Sequence, residues 1–206
     1  MSAADAVPAP ARLAVRPPLS AAIALAVFVL FALLVPRFAT FGNLENVARI
    51  AAILCIAACG QAIVLILGGI EFSFGSSVAL ASVVTVLALP FGGTLPAFAA
   101  GAAVVLAVGA VNGLLVARFE LPSFLVTLGT LMIGAGLAST IAGGLPIDAP
   151  ASDAFAWLAR GRIAGVPVPI VVAALAVAIL YGLLAHTRLG RFWYLAGANP
   201  DAARLA

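Results

Sequence analysis

The sequence contains no lysine: all ten of its basic residues are arginine. A Walker A phosphate loop requires lysine before Ser or Thr, so this nucleotide-binding motif is excluded. A lysine Schiff base is excluded for the same reason. If the protein works with ATP, another chain must supply the ATPase.

Metal ligands and catalytic groups are also scarce. The only histidine is His186, at the end of an apolar run, and the only cysteines are Cys55 and Cys59, four residues apart on one apolar segment. A metal site requires further ligands nearby, so we interpret the cysteines as small packing residues. GxSxG and HExxH motifs are absent. We therefore expect no catalytic residue, no metal and no cofactor.

Charge is low throughout the sequence. Only 8% of the 206 residues are charged and 65% are hydrophobic, with a mean hydropathy of +1.27. Soluble domains contain about a quarter charged residues, so this composition indicates a polytopic membrane protein. The net charge of +3 does not indicate a nucleic-acid partner, because the arginines flank apolar runs, where they serve as interfacial anchors.

The apolar runs predict an all-α transmembrane bundle of about six spans. Residues 1–18 are interpreted as a disordered cytoplasmic tail, residues 19–186 as the transmembrane domain, and residues 187–206 as an incomplete cytoplasmic segment. A span needs about 20 residues. The expected spans cover approximately residues 19–35, 47–67, 76–89, 95–117, 122–142 and 168–185.

Residues 143–167 form a longer polar segment that carries Phe155 and Trp157. We expect an external loop with an interfacial amphipathic piece, because aromatic side chains favour the headgroup level. An N-terminus inside the cell places six arginines in the cytoplasm and four outside, which favours that orientation. The six are Arg12, Arg16, Arg118, Arg188, Arg191 and Arg204, and the four are Arg37, Arg49, Arg160 and Arg162.

One stretch, CGQAIVLILGGIEFSFGSSVALAS at residues 59–82, interrupts the apolar pattern with glycines, Glu71 and Ser73. Irregular backbone at membrane depth requires protein or a water-filled cavity to satisfy its polar groups, and an intramembrane acid is typically functional. The sequence allows two interpretations: a break recessed among the helices, or a cytoplasmic turn with Glu71 in water.

Small residues are abundant in the expected spans. Gly109 and Gly113 form a GxxxG pair in the fourth run, and the fifth run contains Gly129, Gly134 and Gly136; both groups predict close helix packing. Asn112 lies between Gly109 and Gly113 and can either bond to a neighbouring helix or line a path; the structural role is favoured.

The end of the sequence has the pattern of a helix start. Asn199 is a good N-cap, Pro200 suits the first helical position, and Asp201 favours the positive end of the helix dipole. Because the sequence ends at Ala206 after barely two turns, we expect a fragment of a longer protein.

Three motifs follow one another along the sequence. They are Gly60-Gln61 with GGIEFSFGS at residues 68–76, LPSFLVTLGT at residues 121–130 with Gly143-Gly144, and TRLGR through GANPDAARL at residues 187–205. In this order they resemble the permease subunit of ribose/xylose/galactose-type ABC sugar importers. Glu71 stands where that family usually has Asp, Phe72 and Phe74 replace smaller aliphatic residues, and Ala198 replaces Gly.

The resemblance implies a transport subunit in the bacterial inner membrane, and not an enzyme. Its implied partners are a second permease subunit, a cytoplasmic ATP-binding subunit and a periplasmic sugar-binding protein. The implied site residues are Gln61, Glu71, Ser73 and Asn112 on the translocation path, Gly68, Gly69 and Gly75 in the broken helix, and Gly197, Asn199, Pro200, Asp201 and Arg204 in the contact with the ATPase.

Other functional classes remain open at this level. A broken helix with a carboxylate also describes ion-coupled secondary transporters. A membrane fragment or scaffold without transport activity of its own is a further alternative, and an intramembrane enzyme is the least favoured.

Overall fold

The computed structural model describes residues 19–148, 153–199 and 203. Within these residues the fold comprises eight helices and one two-stranded hairpin. The elements are α1 (Leu19–Leu34), α2 (Phe41–Ile66), α3 (Phe74–Gly92), α4 (Thr94–Phe119), α5 (Ser123–Ile141), α6 (Asp153–Arg160), β1 (Arg162–Ile163), β2 (Val166–Pro167), α7 (Val168–His186) and α8 (Arg188–Ala198).

Five helices are long and apolar enough to cross a membrane: α2, α3, α4, α5 and α7. The first apolar run forms α1, which is shorter at 16 residues. Each expected span corresponds to a helix, so the prediction of an all-α polytopic membrane protein is confirmed. The expected tail at residues 1–18 lies outside the described residues.

The chain divides into two compact units, the first ending at Asn46 and the second beginning at Val47. In the first, the turn after α1 folds back on that helix. The ring of Phe38 packs against Phe28 and Phe31, with both centroid distances at 5.6 Å. Arg37 has a positive φ of 66° in this turn, and the Thr40 hydroxyl donates to its carbonyl at 2.8 Å.

In the second unit, α3, α4 and α5 pack together through small residues. A Cβ on Gly101 of α4 would overlap Thr85 Oγ1 of α3, and a Cβ on Gly134 of α5 would lie 2.9 Å from Ser76 Oγ of α3. Close approach at glycine is the expected way to pack helices in lipid, where no hydrophobic driving force brings them together.

The expected packing at Gly109 and Gly113 is not found in the described residues. A Cβ at either position would have no neighbour within 4 Å. Residues follow one another at about 100° around a helix, so Gly113 points away from the face of α4 that carries the buried Asn112. The spacing of the motif does not specify which face of α4 meets α3 and α5.

The turn between α3 and α4 is shorter than the sequence suggests. Gly93 alone separates the two helices, with a positive φ of 79°, and its N–H donates to Leu89 O at 3.0 Å. This conformation suits glycine. Pro90 falls in the last turn of α3 and Pro96 in the first turn of α4, where the missing N–H of Pro96 would have no intrahelical partner in any case.

The polar loop after α5 contains the amphipathic helix expected there. α6 is held to two other helices: the ring of Phe155 stacks on Phe98 of α4 at 4.7 Å, and Arg49 Nη1 of α2 donates to Ala159 O at 3.2 Å. A guanidinium at the last carbonyls of a helix is also favoured by the helix dipole. The hairpin follows, with Ala164 and Gly165 both at positive φ, as a type I′ turn requires.

The tail begins with a helix that was not predicted from the sequence. α8 starts after Thr187, whose side-chain oxygen accepts from Gly190 N at 3.1 Å, and it ends at Asn199, whose N–H donates to Leu195 O at 2.9 Å. Asn199 therefore closes one helix, and its carbonyl also accepts from Ala203 N at 3.1 Å. The overlooked signal is Thr187, a good N-cap residue.

We expect Gly134→Ala to be less stable than Gly136→Ala by about 1–3 kcal/mol, because the added methyl at 134 overpacks the contact with Ser76. Gly136 lies on the same helix, and a Cβ there meets nothing within 4 Å. Thermal unfolding of both variants in one detergent measures the difference. Equal unfolding midpoints for the two variants would contradict close packing between Gly134 and Ser76.

Candidate functional site

The candidate site is the break between α2 and α3, residues 67–73. α2 ends with a Schellman motif: Gly68, at a φ of 79°, donates its N–H to Leu65 O at 3.0 Å, and Gly69 N donates to Val64 O at 2.9 Å. The two glycines therefore form the turn that ends α2. Gly75 lies in the first turn of α3 instead.

The carboxylate of Glu71 covers the start of α3. Its Oε1 atom accepts hydrogen bonds from the backbone N–H of Ser73 and from Ser73 Oγ, the latter at 2.5 Å. The first N–H groups of a helix lack intrahelical partners, and negative charge is favoured at this end. The side chain of Glu71 is half-buried, whereas Ser73 is only 2% exposed.

Asn112 of α4 extends these bonds across the bundle. Its Nδ2 donates to Ser73 Oγ at 3.1 Å, and its Oδ1 accepts from Thr130 Oγ1 of α5 at 2.6 Å. Asn112 is 6% exposed. Glu71, Ser73, Asn112 and Thr130 form what we call the polar cluster, which connects the break to three helices.

The backbone of the break is satisfied by neighbouring helices. Ile70 N donates to Ser123 Oγ at 3.0 Å, Thr127 Oγ1 is 3.2 Å from Ile70 O, and Gln61 Nε2 donates to Glu71 O at 3.3 Å. These side chains supply the protein partners that irregular backbone at membrane depth requires. All four residues expected on the path, Gln61, Glu71, Ser73 and Asn112, therefore meet at the break.

The contribution of α5 to the site was not predicted from the sequence. Ser123, Thr127 and Thr130 follow the i, i+4, i+7 spacing of one helix face. The spacing indicates that the three hydroxyl groups share one face of α5. It does not indicate which part of the protein that face contacts.

The end of the break nearest α3 lies inside the bundle. Asn112 lies seven residues before the end of α4 and Thr130 seven residues after the start of α5, which corresponds to about 10 Å along each helix axis. Since Ser73 bonds to Asn112, α3 begins at that level. At the end nearer α2, Ile70 bonds to Ser123, the first residue of α5, so the break runs from the level of that helix end into the bundle.

Among the residues expected to contact an ATPase, Gly197 and Asn199 are described, while Pro200, Asp201 and Arg204 lie outside the described residues. Gly197 is in the last turn of α8 and lies against the end of α2. In the described part of the chain, no group of His, Cys, Asp and Glu side chains could hold a metal ion.

We expect Asn112→Ala to lower the free energy of unfolding by about 1–3 kcal/mol, because the buried hydroxyl of Ser73 and the half-buried hydroxyl of Thr130 each lose a partner. Thr130→Val removes the hydroxyl that donates to Asn112 Oδ1. In a double-mutant cycle the two changes should be non-additive by about 0.5–3 kcal/mol. If thermal or denaturant unfolding shows that the two losses of stability are additive, the hydrogen bond between Asn112 and Thr130 is contradicted.

A model of the family described as "Branched-chain amino acid transport system / permease component" matches residues 43–206. The ribose import permease protein RbsC of Escherichia coli (strain K12) is 33% identical over 189 residues, which cover 88% of this chain and 59% of that protein. Among solved structures, none matches the chain significantly.

Two further relatives have the same percentage identity. RbsC of Bacillus subtilis (strain 168) is 33% identical over 86% of this chain and 56% of its own length, and the L-arabinose transport system permease protein AraH of Escherichia coli (strain K12) is 33% identical over 87% and 55%. The chain thus spans 55–59% of the length of these three relatives. These matches confirm the resemblance inferred from the three motifs, and the chain belongs to the family of transport-system permease components that matches residues 43–206.

Proposed function

We propose that this chain is part of the membrane-spanning permease of an ATP-driven sugar importer. The relatives named for ribose and arabinose transport support a monosaccharide as the solute. The structural observation that carries the proposal is the polar cluster: hydroxyl and amide groups of three apolar helices meet inside the bundle, where α3 begins.

The chemistry of the cluster suits a neutral, hydroxylated solute. Ser73, Asn112 and Thr130 offer neutral donors and acceptors, and the one carboxylate, Glu71, is engaged by Ser73. A sugar presents only hydroxyl groups, for which such groups are adequate partners. We assign Gln61, Glu71, Ser73 and Asn112 to the translocation path, with Glu71 shaping the break.

The permease works in an assembly. We propose a second permease subunit, a cytoplasmic ATP-binding subunit and a periplasmic sugar-binding protein as partners in the bacterial inner membrane. The N-terminus is assigned to the cytoplasm, since that orientation places six of the ten arginines inside. The break and α8 then face the cytoplasm, while α6 and the hairpin face outward.

The tail is the proposed contact with the ATPase. ATP binding moves the membrane helices only to the extent that it favours one conformation over another, and a short helix on rigid spans can transmit that preference as rigid-body rocking. Gly197, Asn199, Pro200, Asp201 and Arg204 are assigned to the segment that couples the membrane helices to the ATPase.

The path is tested with Thr130→Val, which keeps the side-chain shape and removes the hydroxyl. We expect uptake of labelled ribose or arabinose to fall about tenfold at equal membrane abundance, in cells that also produce the partner proteins. Thr140→Val on the same helix, at an exposed position, should retain uptake. Equal uptake by the two variants would count against a path at the cluster.

The energy source is tested in the same cells. ATP depletion should abolish uptake while a membrane potential persists. Uptake that follows the proton or sodium gradient instead would indicate an ion-coupled secondary transporter.

The coupling assignment is tested with Arg204→Glu. We expect sugar-stimulated ATP hydrolysis to continue while uptake falls, because the reversed charge disturbs the contact through which hydrolysis drives transport. The ratio of sugar imported to ATP hydrolysed measures the effect. A ratio equal to that of the unmodified protein would remove Arg204 from the coupling segment.

A further inference from the structure

α8 rests on the backbone at the end of α2. A Cβ on Gly197 would overlap the carbonyl oxygen of Ile66 and would approach Leu67 Cα at 3.3 Å. A hydrogen atom fits this space and a methyl group does not. The contact is therefore backbone against backbone, without a flexible side chain between the two segments.

A second glycine seats the other end of α8. A Cβ on Gly190 would overlap the carbonyl oxygens of Leu183 and Leu184 on α7. Gly190 and Gly197 are separated by two helical turns and lie on one face of α8, with the half-buried Trp193 between them. The inner face of α8 thus rests on α7 at one end and on α2 at the other.

The α2 contact lies directly before the break. Ile66 is the last residue of α2, and the Schellman turn at Gly68 and Gly69 follows immediately. Five residues beyond Ile66, Glu71 covers the start of α3. A displacement of the last turn of α8 therefore acts on the backbone that leads into the break.

We propose that Gly197 is a positioning residue that transfers movement of α8 to the break carrying Glu71. This inference rests on the proposed function for its biological role, since the ATPase is what would move α8. Close-packed backbone segments transmit displacement because neither can yield by a change of rotamer. Any side chain at residue 197 would separate α8 from α2 and loosen the link.

The link is tested by hydrogen exchange of the chain in lipid nanodiscs, with Gly197→Ala compared with Gly182→Ala. We expect the amides of residues 68–73 to exchange about tenfold faster in Gly197→Ala, since the overlap at Ile66 must be relieved next to them. Gly182, on α7, has no neighbour within 4 Å of its Cβ position, so its variant should match the unmodified chain.

A general loss of stability has a different signature. It would accelerate exchange throughout α3, α4 and α5, and that result, or unchanged exchange at residues 68–73, would overturn the proposal.

Glu71→Gln supplies a second measurement that leaves α8 intact. Coupling between two sites is reciprocal, so weakening the cap at α3 should accelerate exchange in residues 195–199 severalfold. Unchanged exchange there would also overturn the link. Neither experiment requires sugar or ATPase, so a failure of sugar uptake would count against the proposed function and would leave the link to be judged by exchange.

Discussion

The structure depends on one constraint: backbone that leaves the helical pattern among apolar helices must find its hydrogen-bond partners within the protein. Between α2 and α3 the chain does this with side chains of other helices. On α5, Ser123 Oγ accepts from the N–H of Ile70, and Thr127 Oγ1 lies within hydrogen-bond distance of the Ile70 carbonyl. Gln61 of α2 donates to the carbonyl of Glu71. The break is therefore an ordered feature of the bundle.

The same constraint explains the sequence of the neighbouring helices. α5 carries hydroxyls on the face that meets the break, and α4 places one amide, Asn112, where it bonds to both α3 and α5. Glycine at 101 and 134 brings the helices close enough for these short side chains to reach. Among the described residues, no buried side-chain nitrogen or oxygen lacks a partner.

α2 connects the two sides of the second unit. Arg49 bonds to the last turn of α6, and Ile66 lies under Gly197 of α8. Arg49 and Ile66 are about 25 Å apart along the axis of α2. In the proposed transporter, α2 thus joins the outward-facing loop to the segment that meets the ATPase, and the break lies at its inner end.

The sequence alone determined the membrane class, the approximate spans and the candidate residues at the break, because hydropathy and a misplaced carboxylate are properties of the chain itself. It did not determine which face of each helix packs: the expected contact at Gly134 is present, whereas a Cβ at Gly109 or Gly113 has no neighbour within 4 Å, and Gly101, which was not expected to pack, meets Thr85. It also did not reveal α8, or the role of Ser123, Thr127 and Thr130. Only the tertiary structure decided these, because the same helical spacing puts residues on one face without specifying which helix that face meets.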